Sequence, residues 1–225
     1  MDNDIEFLCE YVNVLEVENK DLYVKIVQSF HQIMDGFEPI EPIVLLDKNK
    51  ELSLSKNITI LYDPFNFEFN NKNIITKLYQ VINEEIVNNL ECKYEFDSLL
   101  KQLSRIILNV AAEFNWDYSY NDNVYPIDYL KVLNLKIEEQ REQKVLDRLL
   151  SLIDILSEFK LSNLLILVNF KCYFQENELL EIYKYVKYKG ICLLLIEPFK
   201  MEKVLPYELK LTIDSEYDEF LKRFV

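Results

Sequence analysis

The segment from Glu113 to Asp128 has the composition of a calcium-binding loop. It contains four carboxylates and three asparagines, and none of its residues is basic. Calcium takes several oxygen ligands from carboxylates, amide carbonyls and backbone carbonyls, and this segment offers all three kinds. It is not the twelve-residue calcium loop, because the glycine of the sharp turn and the closing glutamate are missing. The alternative is a solvated connector in which Asp and Asn form turns and Asp128, behind Pro126, supports the next helix.

Two groups of lysines are candidates for contacts with nucleic-acid phosphates. Lys48, Lys50 and Lys56 lie in a polar connector, and Lys184 and Lys187 alternate with tyrosines near the end of a predicted helix. Both groups also have an ordinary structural explanation, because most lysines are simply solvated and cations are favoured at helix C-termini. The formal net charge of −14 repels phosphates on average, so DNA binding requires a local basic patch or a cation.

Signatures of catalysis are few. The chain has one histidine, His31, and contains no Gly-x-Ser-x-Gly, His-Glu-x-x-His or Gly-Lys-Ser/Thr motif. With two glycines in the whole chain, a glycine-rich phosphate loop is not expected. Asp63 and Glu197 each follow a predicted strand, where they could hold a metal in a nuclease-like site or form turns. The residues therefore favour a protein that is not an enzyme.

The elements that must position these residues follow an α/β pattern. Two short apolar runs, 164–168 and 191–196, are separated by an amphipathic segment that ends at Gly190. This arrangement predicts two buried parallel strands joined by a crossover helix, a βαβ unit. Further strands are predicted at 12–17, 43–46 and 57–62, with a helix between the first two. The fold class is therefore predicted to be α/β.

Between these strands lies a stretch with helical periodicity. Residues 98–114 place an apolar set on one helix face, and a second long helix is predicted from about 138 to 158. We therefore predict a discontinuous α/β domain, residues 1–64 and 160–225, with an inserted helical domain, residues 65–159. The apolar set of the helix predicted at 98–114 is Leu99, Leu103, Ile106, Ile107, Val110 and Phe114.

The sequence shows no feature of a membrane or secreted protein. No apolar run reaches the length of a membrane span, and the acidic N-terminal segment does not have the charge pattern of a signal peptide. These observations predict a cytoplasmic protein without a membrane partner.

Six segments resemble the accessory adaptation protein of type II-A CRISPR systems, the Csn family. They follow the family in order along most of the chain, and each combines a hydrophobic pattern with a few polar residues. The segments are VLEVEN at 14–19, LDK at 46–48, LNLKIE at 133–138, NLLILVNF at 163–170, ELLEI at 178–182 and LLLIEP at 193–198.

This resemblance implies a degenerate P-loop-NTPase-like head domain with an inserted α-helical leg domain. It further implies a homotetramer in the form of a ring, which binds Ca²⁺ and double-stranded DNA ends without cleaving them during CRISPR spacer acquisition. The implied partners are the CRISPR integrase pair and the effector nuclease. The calcium ligands of the family correspond here to Glu113, Asp117, Asp122 and Asp128.

The sequence and the resemblance together predict a non-catalytic, calcium-supported ring that binds DNA ends without sequence specificity. A ring can be acidic outside and basic inside, which reconciles the net charge with DNA binding. The alternatives are a metal-dependent phosphoesterase or nuclease and a pure protein–protein scaffold of the adaptation complex. The predicted DNA contacts are Lys48, Lys50, Lys56, Lys184 and Lys187.

Overall fold

The chain divides into two compact units. The computed structural model describes residues 10–43, 46–47, 50–51, 58–121, 123–139 and 141–223, with only the backbone of 46–47 and 50–51. The sheet unit comprises Met1–Glu68 and Gln140–Val225, and the helical unit comprises Phe69–Glu139. Among the described residues, no helix is both long and apolar enough to cross a membrane.

The sheet unit contains a six-stranded, mostly parallel sheet, which confirms the predicted α/β class. The strand order is β4-β5-β6-β1-β7-β8, and β8 is antiparallel to β7. The short strands β2 and β3 form a separate antiparallel pair. The strands are β1 (Val12–Val17), β2 (Leu46–Asp47), β3 (Lys50–Glu51), β4 (Ile58–Leu61), β5 (Leu164–Val168), β6 (Cys192–Glu197), β7 (Glu208–Ile213) and β8 (Glu219–Arg223).

Among the described residues, three α-helices belong to the sheet unit and three to the helical unit. The sheet unit has α1 (Lys20–Met34), α5 (Val145–Glu158) and α6 (Glu176–Lys189). The helical unit has α2 (Lys72–Asn88), α3 (Leu90–Ala111) and α4 (Pro126–Leu133). Asparagine side chains cap two of the latter: Asn71 accepts from the Ile74 amide, and Asn89 accepts from the Glu91 amide.

The predicted βαβ unit is confirmed as β5, α6 and β6. The two strands are parallel neighbours, with Leu164 opposite Cys192. Helix α6 begins at a capping box between Gln175 and Glu178 and ends at Gly190, whose φ is 70°. That left-handed conformation favours glycine, which explains why one of the two glycines stands there.

The predicted strands at 12–17 and 57–62 are confirmed in substance by β1 and β4. The strand predicted at 43–46 is not found at Ile43, and the structure describes strand there only from Leu46. Residues 44–45 lie outside the described residues.

The predicted domain boundaries differ from the observed division mainly at the second junction. The helix predicted from about 138 begins at Val145, and it belongs to the sheet unit rather than to the inserted unit. Its Leu149 and Ile153 are fully buried, and it contacts α6. Helical periodicity identifies the apolar face of a helix but not the unit against which that face packs. The predicted domain boundary therefore differs from the observed one.

The two faces of the sheet differ in chemistry. On one face Leu15, Val17, Ile166 and Leu194 form an apolar core that includes Phe30 of α1. Because side chains alternate along a strand, the residues between them face the other way. That second face, which we call the charged face, carries the buried side chains of Glu16, Glu197, Glu208, Lys210 and Thr212.

Arg148 of α5 fixes the segment that follows β4. Its side chain is buried, with Nη1 donating to the Phe65 carbonyl at 3.0 Å and the guanidinium 5.2 Å from the Phe67 ring centroid. No described residue accepts a hydrogen bond from its Nε. Arg148 therefore combines a backbone hydrogen bond with a cation–π contact that a lysine would not reproduce.

We expect Arg148→Ala to lower the free energy of unfolding by about 2–3 kcal/mol, because the Phe65 carbonyl and the Phe67 ring both lose their contact with the guanidinium. Arg148→Lys should recover only part of this loss. Urea unfolding followed by circular dichroism measures both variants. Arg105→Ala, at an exposed position of α3, is the control, with an expected change within about 0.5 kcal/mol. Equal stability of Arg148→Ala and Arg105→Ala would contradict the anchoring role.

Candidate functional site

A buried ion pair lies between the charged face and helix α6. The Lys171 ammonium is 2.7 Å from Glu208 Oε1, and at most 1% of either side chain is exposed. The Tyr183 hydroxyl of α6 donates to the same oxygen at 2.7 Å, and the Leu205 amide donates to Glu208 Oε2 at 3.0 Å. Burial, followed by the charge of Glu208, raises the pKa of Tyr183, so its hydroxyl remains a donor. These contacts connect α6 to β7.

A second buried ion pair connects β7 to β1. Lys210 Nζ lies 2.8 Å from Glu16 Oε1, and Thr212 donates to Glu16 Oε2 at 2.9 Å. Lys210 also donates to the carbonyls of Met201 and Lys203, both at 2.9 Å. Because a buried ammonium needs several acceptors, these bonds hold the connection between β6 and β7 against the sheet.

Glu197, at the end of β6, forms no ion pair with any ammonium group in the part of the chain that the structure describes. Its Oε1 accepts from the backbone amides of Phe170 and Lys171, at 3.1 and 3.0 Å. Its Oε2 is buried and has no hydrogen-bond partner among the described residues. Burial raises the pKa of Glu197 to about 7, against the opposing effect of the Lys171 amide and charge.

The sequence analysis missed most of this network. It placed Glu197 at a strand end, but it did not identify Tyr183, Glu208 or Lys210, all of which are buried. The missed signal was the recurrence of charged residues at every second position of an apolar strand, as in ELKLTI of β7. Alternation of this kind usually indicates a solvated face, and only the covering helix shows that the face is buried.

Among the predicted calcium ligands, the side chains that the structure describes do not converge on one point. Glu113 and Asp117 are exposed after the end of α3, and Asp122 lies outside the described residues. Asp128 caps α4, because its Oδ2 accepts from the Tyr125 amide at 3.3 Å and its Oδ1 accepts from Lys131 at 3.2 Å. The hydrogen bond from Lys131 lowers the pKa of Asp128. Within the described ranges, no three His, Cys, Asp or Glu side chains could share an ion.

The predicted DNA-contacting lysines fall into a described and an undescribed group. Lys48 and Lys56 lie outside the described residues, and only the backbone of Lys50, in β3, is described. Lys184 and Lys187 are exposed on α6, the helix whose inner side holds Tyr183. Lys187 Nζ lies 5.7 Å from the Tyr207 ring centroid, which leaves the ammonium accessible at the surface.

Helix α3 carries an exposed apolar face, which we call the α3 seam. The predicted amphipathic helix is confirmed, but its apolar set is 49–60% exposed rather than buried. Its half-buried residues, including Leu100, Ser104 and Leu108, lie on a different side of the helix. The spacing of the seam is four, three and four residues, which is typical of helix pairing. The seam consists of Leu99, Leu103, Ile106 and Val110, flanked by Ile107 and Phe114.

Comparisons with known proteins identify the family. The profile described as "CRISPR-associated protein (Cas_Csn2)" matches residues 39–217. CRISPR-associated protein Csn2 of Streptococcus agalactiae is 23% identical over 208 residues, which cover 91% of this chain and 88% of that protein. The crystal structure of Stu0660 of Streptococcus thermophilus is similar in fold, with a TM-score of 0.59 at 14% identity, over 98% of this chain and 73% of that chain. The chain belongs to the Csn2 family of CRISPR-associated proteins.

Proposed function

We propose that this protein is a non-catalytic, calcium-supported ring that binds double-stranded DNA ends during CRISPR spacer acquisition in the cytoplasm. The ring is a homotetramer, and it acts together with the CRISPR integrase pair and the effector nuclease. Membership of the Csn2 family supports the CRISPR role. The observation that carries the assembly is the α3 seam, because apolar side chains at helix-pairing positions are stable in water only when another surface covers them.

A second copy of the chain is the partner that we propose for the α3 seam. The spacing of the seam suits knobs-into-holes packing against an identical helix, and the opposite face of α3 carries Lys101 and Arg105. Pairing two seams removes the apolar side chains from water and leaves the basic residues solvated. A contact between two identical seams closes a dimer, so a ring of four requires a second, different contact between two such dimers.

DNA binding is proposed to rest on phosphate contacts alone. Lys184 and Lys187 are exposed on a rigid helix, and lysines contact phosphates as point charges without reading bases.

The head is proposed to be a degenerate P-loop-NTPase-like domain. Only Glu18 and Asn19 connect β1 to α1, and Asn19 Oδ1 accepts from the Leu22 amide at the start of α1. An amide of the first helical turn is thus already bonded within the chain.

Calcium is proposed to bind the segment from Glu113 to Asp128. In the described arrangement Asp128 is engaged as a cap and with Lys131, so ion binding requires its carboxylate to exchange those partners. The proposed ligands remain Glu113, Asp117, Asp122 and Asp128. Neutralising these carboxylates would also reduce the repulsion between the acidic chain and DNA.

The nuclease alternative requires Asp63, Glu197 or the acidic segment after α3 to be available to a metal. Asp63 Oδ1 accepts from the Phe65 amide at 2.8 Å as a turn former, and Glu197 is fully buried with Oε1 on two backbone amides. These engagements favour the non-catalytic proposal. The scaffold alternative differs from it only in lacking DNA binding.

We expect Leu103→Asp to reduce the assembly to smaller species, because each pairing of seams would bury two carboxylates. Size-exclusion chromatography with light scattering gives the mass of the particle. Asn109→Asp, at an exposed position of α3 away from the seam, is the control and should keep the wild-type mass. An unchanged mass for Leu103→Asp, or a wild-type protein that is monomeric, would refute the proposed subunit contact.

DNA binding should show the salt dependence of phosphate contacts and a preference for open ends. The slope of log K against log salt concentration is negative, and each phosphate contact that is lost makes it less steep by about 0.9. The double variant with Lys184→Gln and Lys187→Gln should therefore show a flatter slope than the wild-type protein. Fluorescence anisotropy with linear duplexes of different sequences measures this slope, and closed circular duplex should bind poorly. Lys20→Gln with Lys222→Gln, which removes two other exposed charges, is the matched control. Equal slopes for the two variants would exclude these lysines as DNA contacts, and cleavage in Mg²⁺ or Mn²⁺ would favour the nuclease.

Calcium should raise the melting temperature of the wild-type protein, and Asp117→Asn should weaken this response. The physical reason is linkage, because a ligand that binds only the folded state stabilises it as its concentration rises. Differential scanning fluorimetry over a calcium titration measures the response, with Glu95→Gln, an exposed acid of α3, as the control. The absence of any calcium response in the wild-type protein would remove calcium from the proposal.

A further inference from the structure

Among the described residues, the charged face together with Lys171, which packs against it, holds one more carboxylate than ammonium groups. The carboxylates are Glu16, Glu197 and Glu208, all 0% exposed, and the ammonium groups are Lys171 and Lys210, at 3% and 1%. Each ammonium is paired with one carboxylate, Lys171 with Glu208 and Lys210 with Glu16. Glu197 is therefore the member without a counter-ion, and its ionised form leaves a net negative charge inside the protein.

The surroundings of Glu197 do not supply the missing positive charge. On the neighbouring strand its partner in the register is Glu16, another acid, which raises the pKa of Glu197 further. The charge of Lys171, which is already paired with Glu208, lowers the pKa of Glu197 but does not outweigh its burial. The charge of Glu197 raises the pKa of three neutral groups: Cys172, Tyr23 of α1 and Tyr183 of α6. From β7, Lys210 and Glu208 are already engaged in the two ion pairs.

The two oxygens of Glu197 have different partners. Oε1 accepts two backbone hydrogen bonds, which a protonated carboxyl group can also receive through its carbonyl oxygen. Oε2 has no partner within the described part of the chain, and it is the atom on which a proton can reside without breaking a hydrogen bond. An ionised oxygen in that position would remain both desolvated and unpaired, which is costly.

We propose that Glu197 is the proton-carrying acid of the charged face, and that loss of its proton loosens the sheet unit. Protonation makes the set of five charged groups neutral overall, with two ion pairs and one uncharged carboxyl group. Deprotonation leaves both ion pairs in place but adds an unpaired charge beside Glu16. The protein thus contains a pH-sensitive element beneath α6, the helix that carries Lys184 and Lys187.

The sign of the pH dependence follows from the two states. The pKa of Glu197 is about 7 in the folded protein and has the ordinary value of 4.5 when unfolded. Between these values the folded state holds a proton that the unfolded state has released. Stability is therefore highest below the lower value, falls as the pH rises through the window, and levels off above about 7. Within the window the unfolding constant rises by up to about tenfold per pH unit.

Two neighbouring glutamates provide the test, because the same substitution at each should have opposite effects. Glu197→Gln mimics the protonated acid, so the ratio of the wild-type to the variant unfolding constant should rise about sixtyfold between pH 5 and pH 7.5. Glu16→Gln leaves the buried Lys210 ammonium without its carboxylate and should raise the unfolding constant more than about tenfold at both pH values. Glu202→Gln, at an exposed position, is the control and should give a flat ratio near one. Urea unfolding at a series of pH values measures all four proteins.

A direct titration of the wild-type protein covers the case in which Glu197→Gln does not fold. The ¹³C resonance of the Glu197 side-chain carboxyl, measured by NMR, should titrate near pH 7, well above the exposed glutamates. A midpoint below pH 5.5 would overturn the proposal, as would a flat ratio between wild type and Glu197→Gln. A midpoint near 7 together with a rising ratio would support it.

Discussion

The structure depends on the rule that a charge removed from water must be paired, hydrogen-bonded or neutralised. Among the described residues, one face of the central sheet and Lys171 beside it bury five charged side chains, and the folded arrangement satisfies them through two ion pairs, several backbone bonds and one shifted acid. Buried pairs of this kind add little net stability relative to apolar residues, but the removal of either partner is strongly destabilising. Their main effect is geometric: Glu208 accepts from both Lys171 and Tyr183, so α6 and the turn after β5 must take up one position relative to β7.

The same rule explains where sequence reasoning succeeded and where it failed. Uniformly apolar runs such as Leu164–Val168 predict buried strands, because no other environment suits them, and β5 and β6 are found as expected. Strand β7 escaped prediction because Glu208 and Lys210 alternate with apolar residues, a pattern that normally indicates water on one side. The ion pairs that allow its burial join residues far apart in sequence, and no local pattern contains them.

Helix α3 shows the complementary limit. Its periodicity correctly predicts an amphipathic helix, and the sequence places Leu103 and Val110 on one face. The natural expectation is a core within the chain, whereas both side chains are about half exposed. An apolar helix face must pack against another surface. The periodicity of the sequence does not show whether that surface belongs to the same chain or to another copy. The acidic segment after α3 is a second case in which the sequence leaves two explanations open. Its carboxylates are compatible with ion binding and with turn formation, and Asp128 is found as a helix cap.

The carboxyl edge of the sheet connects the charged face to the question of ligands. After β5 the chain passes through Asn169, with φ of 58°, and the next two amides, of Phe170 and Lys171, converge on one oxygen. Consecutive amides that follow a left-handed residue form a concavity suited to an anion, and the carboxyl edge is where α/β proteins usually bind one. Here the group in that place is the Glu197 carboxyl, supplied by the neighbouring strand. The side chain that fills this place is also the one without an ammonium partner among the described residues, so the chain itself occupies the position that a bound anion would take.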